Sequence, residues 1–105
     1  MHLNSVEELA SRVRIMSLPL DTPDDLDPLI RAVGDARYVL LGEASHGTHE
    51  FYTLRAEITK RLILKKRCSF IAVEGDWPDC YRPNRYVKGL AGAGDSAEQV
   101  LRTFR

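Results

Sequence analysis

The sequence lacks the features that define several classes of protein. It has two cysteines in 105 residues, Cys68 and Cys80, and they fit no Cys-x-x-Cys spacing, which favours a reducing cytoplasm. Its longest apolar runs, Tyr38–Leu41 and Phe70–Val73, are far too short to span a bilayer. The N-terminal residues include neither a basic segment nor an apolar one, so no secretory signal is recognised. These absences predict a cytoplasmic protein without a membrane partner.

The chain also lacks a net charge. Fifteen lysines and arginines balance fifteen aspartates and glutamates, and the two signs are interspersed. This argues against a nucleic-acid groove or an acidic membrane surface as the main partner. Hydrophobic residues make up 44% of the chain, an ordinary globular proportion that argues against disorder. Because domains most often contain roughly 100–150 residues, residues 1–105 are predicted to form a single domain.

Capping residues and apolar spacing predict five helices. Their expected starts, at the cap or first residue, are Ser5, Asp24, Thr48, Asp76 and Ser96. The first helix is predicted to run to about Met16, the second to stop at Gly34, and the third to run to about Lys66. Pro83 is expected to interrupt or kink the fourth helix, because proline has no backbone N–H group to donate.

The two apolar runs predict strands. Tyr38–Leu41 and Phe70–Val73 show no alternation of polar and apolar residues, which is typical of strands buried on both faces of a parallel sheet. With the helix between them they predict a βαβ unit, and hence an α/β fold with parallel strands flanked by helices. Both strands are of the interior type and no edge strand is recognised, so the chain is interpreted as the N-terminal part of a larger fold. Uncovered sheet surface would then favour self-association.

Four polar residues form a candidate catalytic site around the predicted strand ends. Glu43 and Glu74 each follow a strand, and His46 lies three residues after Glu43. Ligands bind beyond the carboxyl ends of parallel strands, where two carboxylates and an imidazole could act in acid–base catalysis. Arg55 lies beside the apolar stripe of its helix and needs a carboxylate partner there. The alternative is that the glutamates cap loops or helices, His46 is a surface residue and Arg55 reaches solvent.

A second alternative is a metal site. His46, His49 and Glu50 would share one face if all three were helical, as zinc ligands do. Gly47 and Thr48 resemble a helix entry, however, which would leave His46 in the loop and His49 in the first turn. No cofactor is therefore predicted, and a divalent metal held by His46 and nearby glutamates is kept as the alternative.

Two long motifs resemble the opening motifs of the erythromycin esterase family. They are Gly42–Tyr52, with sequence GEASHGTHEFY, and Ile71–Asp79, with sequence IAVEGDWPD, and Arg55 lies between them. The resemblance extends from about Asp24 to the end of the chain. It implies an α/β hydrolase fold, hydrolysis of a macrolide lactone ester and a link to macrolide resistance.

The same resemblance implies roles for the four residues. His46 would be the base that activates water, and Glu43, Glu74 and Arg55 would line the site. Glu43 would orient the imidazole, Arg55 would offset negative charge on the carbonyl oxygen, and Glu74 would hold Arg55 or the water. The expected substrate is a small-molecule ester or lactone. A non-catalytic remnant or binding module is a further alternative.

Family members are several times longer than this chain. Residues 1–105 are therefore interpreted as an N-terminal fragment of an erythromycin esterase-like domain. Such a fragment would hold the base, the carboxylates and the arginine without most of the surrounding residues that fix their positions. We expect it to be inactive alone.

Overall fold

The computed structural model describes residues 5–102 and residue 104, which form helices joined by irregular segments. Contacts divide the chain into two compact units, with the boundary between Ser69 and Phe70. The elements of the first unit are α1 (Val6–Met16), a 3₁₀ turn (Pro23–Leu26), α2 (Asp27–Ala32) and α3 (His49–Lys66). Those of the second unit are α4 (Trp77–Val87) and α5 (Ala97–Leu101). Among these helices, none combines the length and the apolar character needed to cross a membrane.

The predicted α/β fold is wrong, because residues 5–102 and 104 contain no strand. The βαβ unit, the parallel sheet and the exposed sheet surface inferred from them are therefore absent from this part of the chain. Residues 38–41 and 70–73 are irregular instead, and Leu40 is 94% exposed. A strand forms only when a neighbouring strand pairs with its backbone N–H and C=O groups. Neither apolar run has such a neighbour among the described residues, and apolar composition alone does not make a strand.

The helices predicted from capping residues are largely confirmed. The Ser5 hydroxyl accepts a hydrogen bond from the backbone N–H of Glu8, at 3.3 Å, where α1 begins. The Ser96 hydroxyl does the same for Gln99, at 3.2 Å, at the start of α5. Thr48 precedes α3, as expected. The hydroxyls of Ser5 and Ser96 thus pair with backbone N–H groups that have no partner within the helix, whereas the Thr48 side chain makes no such bond.

Pro83 does not interrupt α4, which continues to Val87. The ring removes one hydrogen-bond donor from the helix interior. The residues on either side keep their helical conformation, so the loss of this donor affects the helix only locally. The predicted interruption is therefore wrong, and the predicted kink stays a prediction.

The first unit buries a small apolar core where α2 packs against α3. Leu26, Ile30 and Leu62 are 2%, 3% and 5% exposed. These residues come from the 3₁₀ turn, α2 and α3 respectively. Burial of each such side chain contributes roughly 1.5–3 kcal/mol, so this core is the main apolar stabilisation of the unit.

Polar contacts reinforce the same interface. Asp27 Oδ1 accepts hydrogen bonds from Arg61 Nη1 at 2.5 Å and from Lys65 Nζ at 2.8 Å. The bond from Lys65 is the largest cause that lowers the pKa of the Asp27 carboxyl group below its ordinary value of 3.8. Near the end of α3, Lys66 Nζ donates to the carbonyl oxygen of Gly34 at 2.9 Å. Arg67 then ends the helix in a left-handed conformation, with φ of 56°.

The second unit packs α4 against α5 around Ala93 and Val100, which are 7% and 2% exposed. Gly94 makes this approach possible. Its φ is 130°, and a Cβ atom at this position would lie 2.7 Å from Cγ2 of Val100. Any larger residue would therefore displace Val100 and would also strain the backbone.

Candidate active site

The loop that precedes α3 is held by local hydrogen bonds. Gly47 has a φ of 84°, a conformation that favours glycine, and its backbone N–H donates to the Tyr52 hydroxyl at 3.3 Å. The hydroxyl groups of Ser45 and Thr48 lie 2.9 Å apart within hydrogen-bonding distance. The loop is thereby tied to the first turns of the helix that follows it.

Glu43 connects this loop to α3. Its carboxylate contacts Nδ1 of His46 through Oε1 and accepts a hydrogen bond from Nη2 of Arg55 through Oε2. The Glu43 side chain is 15% exposed, whereas that of His46 is 84% exposed. A carboxylate can only accept hydrogen bonds, so in a neutral imidazole Nδ1 carries the hydrogen. Nε2 then keeps its lone pair.

Arg55 is fixed from two sides. Besides its bond to Glu43, its guanidinium carbon lies 5.3 Å from the centre of the Tyr52 ring, a cation–π geometry. The Nε–H group of Arg55 is buried and has no hydrogen-bond partner among the described residues. The arginine therefore keeps a buried donor that neither Glu43 nor another described residue satisfies.

Arg55 also lines an open cleft of about 250 Å³ within the first unit. The wall of the cleft consists of Leu40, Leu41, Gly42, Phe51, Leu54, Arg55 and Ile58. It is thus apolar apart from the guanidinium group of Arg55. Its volume is below the roughly 300–1,000 Å³ of pockets that enclose drug-sized ligands, so it could hold only part of such a molecule.

Three of the four predicted site residues meet in this structure: Glu43, His46 and Arg55. We call them the Glu43 cluster. Glu74 belongs to the second unit, where it lies exposed in the irregular segment before α4. The expectation that parallel strands bring both glutamates to one edge is wrong, because those strands do not form. The catalytic roles of all four residues stay predictions.

The structure does not assemble the alternative metal site. His49 lies in the first turn of α3, and its Nε2 is 3.1 Å from the Thr53 hydroxyl. Among residues 5–102 and 104, no group of three or more His, Cys, Asp or Glu side chains is placed to hold a metal ion. Cys68 and Cys80 are both free thiols.

Sequence reasoning did not single out Tyr52 as a separate site residue. Tyr52 contacts both the loop and the arginine. Its hydroxyl accepts a hydrogen bond from the Gly47 backbone N–H, and its ring lies beside the Arg55 guanidinium. Its position three residues before Arg55 on a helix was the available signal, because side chains at that spacing are neighbours.

Comparison with known proteins finds a similarity that covers most of the chain. Over 86 residues the chain is 33% identical to erythromycin esterase type II of Escherichia coli. The matched region is 82% of this chain and 20% of the relative, so the chain spans about a fifth of the length of that protein. No family model and no solved structure matches. The similarity is evidence of a distant, partial relationship to a hydrolase.

Proposed function

We propose that this chain carries the water-activating part of a hydrolase that cleaves a carboxylic ester, with a macrolide lactone as the expected substrate. The observation that carries the proposal is the position of Glu43 between His46 and Arg55. The partial similarity to erythromycin esterase type II supports the same class of reaction.

The chemistry follows from the two imidazole nitrogens. With Nδ1–H held by Glu43, Nε2 of His46 takes a proton from water while the water oxygen forms a bond to the ester carbonyl carbon. The resulting tetrahedral intermediate loses its alkoxide, which receives the same proton from His46. The products are an acid and an alcohol, and the imidazole returns to its neutral form.

Arg55 has a supporting role in this scheme. By bonding Glu43 it fixes the carboxylate that orients His46. Because it lines the apolar cleft, its positive charge would offset the negative charge that develops on the carbonyl oxygen. Glu74 would hold Arg55 or the water, a role that rests on the sequence motif alone.

The proposal is tested in a chimeric enzyme, which is called the graft below. The matched 86-residue region of the Escherichia coli esterase is replaced by the corresponding region of this chain, and hydrolysis of erythromycin is measured. We expect the graft to be active, and its His46→Ala variant to lose about 10²–10⁴-fold in kcat, the usual contribution of a general base. The 105-residue chain alone should show no turnover.

His49→Ala is the matched control. This histidine lies three residues from His46 but contacts Thr53 instead of Glu43, so its loss should change kcat far less. Equal losses in both variants, together with inactivation by a chelator, would favour the metal-dependent alternative. A folded graft without activity would contradict the proposal and leave a non-catalytic binding module.

A further inference from the structure

Helix α1 carries an apolar stripe that no described residue of its own unit buries. Val6, Leu9, Val13 and Met16 recur at alternating intervals of three and four residues, the spacing of a coiled-coil seam. Their exposed fractions are 82%, 49%, 64% and 87%, and no residue of the helix is buried. An amphipathic helix in water is stabilised chiefly by packing of its apolar face. The stripe is therefore an unpartnered surface.

The charges beside the stripe are ordered along the helix. Glu7 and Glu8 lie in the first turn, whereas Arg12 and Arg14 lie in the later turns. At 100° per residue, Glu8 and Arg12 flank one side of the stripe, and Glu7 and Arg14 flank the other. Each flank thus has an acid near the N-terminus of the helix and a base nearer its C-terminus.

We propose that the stripe of α1 binds the same stripe of a second copy of this chain, with the two helices antiparallel. A two-fold axis near Ala10 places Glu8 of each copy opposite Arg12 of the other. It also places Glu7 opposite Arg14. The small side chain of Ala10 lies where the helices cross, so they can approach closely.

The charges on the two flanks favour a second copy of α1 as the partner, and they favour the antiparallel orientation. A parallel pair would place acid opposite acid and base opposite base on both flanks, which is unfavourable. The four charged side chains of α1 sum to zero, so the helix has no electrostatic attraction to an anionic membrane. Because α1 is only about 16 Å long, the interface is small and the dimer is weak and concentration-dependent.

The experiment is sedimentation equilibrium of the 105-residue chain over a wide concentration range. The wild type should pass from monomer to dimer as concentration rises. Val13→Ser should raise the dimer dissociation constant at least tenfold. Ile15→Ser is the matched control, because Ile15 is another β-branched residue of α1, 81% exposed, on the opposite face. It should leave the dissociation constant unchanged.

A charge-reversed pair tests whether the charges on the two flanks govern the pairing. Glu7→Lys/Glu8→Lys makes all four flanking side chains basic, and Arg12→Glu/Arg14→Glu makes them acidic. Each variant alone should be monomeric, and an equimolar mixture should form a heterodimer. Circular dichroism of each variant reports whether α1 has kept its helix.

Three results would overturn the proposal. The first is a wild type that stays monomeric at every concentration. The second is a dimer that Val13→Ser and Ile15→Ser weaken equally or not at all, since another surface would then be responsible. The third is binding of α1 to phosphatidylcholine vesicles, lost in Val13→Ser, without any dimer in solution.

Discussion

Helices α1 and α3 belong to the same unit but differ in what holds them. α1 carries most of its apolar residues on one face and buries none of them. α3 separates apolar and polar residues less clearly, yet it packs against α2 and buries Leu62. Its side chains also reach Asp27, Gly34 and Glu43 through hydrogen bonds. An amphipathic pattern therefore indicates only that a helix is able to pack against something. For α3, the hydrogen bonds to residues distant in sequence show which parts of the unit it packs against.

The largest expected effect concerns the buried leucine of α3. Leu62→Ala should lower the free energy of unfolding by about 2 kcal/mol or more, because it leaves a cavity in a small core. Urea unfolding followed by circular dichroism measures the change. Leu64→Ala is the control on the same helix, where the side chain is 80% exposed, and it should change the value by less than about 0.5 kcal/mol. Equal effects would contradict the contrast between the two positions.

A smaller effect is expected from the polar contacts of α3. Asp27→Asn removes the charge that Arg61 and Lys65 contact, so its Tm at neutral pH should fall by less than that of Leu62→Ala. The pKa of Asp27 is lowered in the folded chain. Its contribution to stability is therefore complete above the ordinary value of 3.8 and is lost as the pH falls through the lowered value.

The pH series supplies the decisive comparison for this prediction. The difference in Tm between the wild type and Asp27→Asn should be constant near neutral pH and shrink in acid. Asp35→Asn, at an exposed position in the turn after α2, should show a much smaller difference. A difference in Tm between the wild type and Asp27→Asn that increases in acid would contradict a lowered pKa of Asp27.

The smallest effect on unfolding is expected at the cap of α1. Ser5→Ala removes the hydroxyl that accepts from Glu8 N–H and should cost α1 about 1 kcal/mol of helix stability. Since α1 buries no residue, the Tm of the unit should hardly change while the Cα chemical shifts of α1 move towards coil values. In Thr48→Ala those of α3 should stay helical, because the Thr48 hydroxyl bonds Ser45 and no helix N–H.

Local signals in the sequence predicted the helices well. Caps such as Ser5 and Ser96 act within three residues, so their effect can be read without knowledge of the fold. The strands at residues 38–41 and 70–73 could not be settled in the same way, because strand formation depends on a partner distant in sequence. Pro83 shows the converse, a local helix-breaking signal that the surrounding helix overrides.

The candidate site was predictable to the extent that it is local. Placing Arg55 on the inner side of its helix implied a carboxylate partner, and in the structure that partner is Glu43. His46 lies one short loop from the same glutamate. Apart from the family motif, Glu74 was joined to them through an assumed sheet, so its place in the site had no local basis. The contacts of Tyr52 with Gly47 and Arg55 could be established only from the direction of its side chain in the structure.

The Glu43 cluster also has a consequence for the order of folding. Its three residues span only thirteen positions of the chain, and Tyr52, which supports them, lies inside the same stretch. Contacts between residues close in sequence need little loop closure and form early, and helix elongation takes nanoseconds per residue. The cluster can therefore form as soon as the loop and the first two turns of α3 are in place, before the slower docking of α2 against α3.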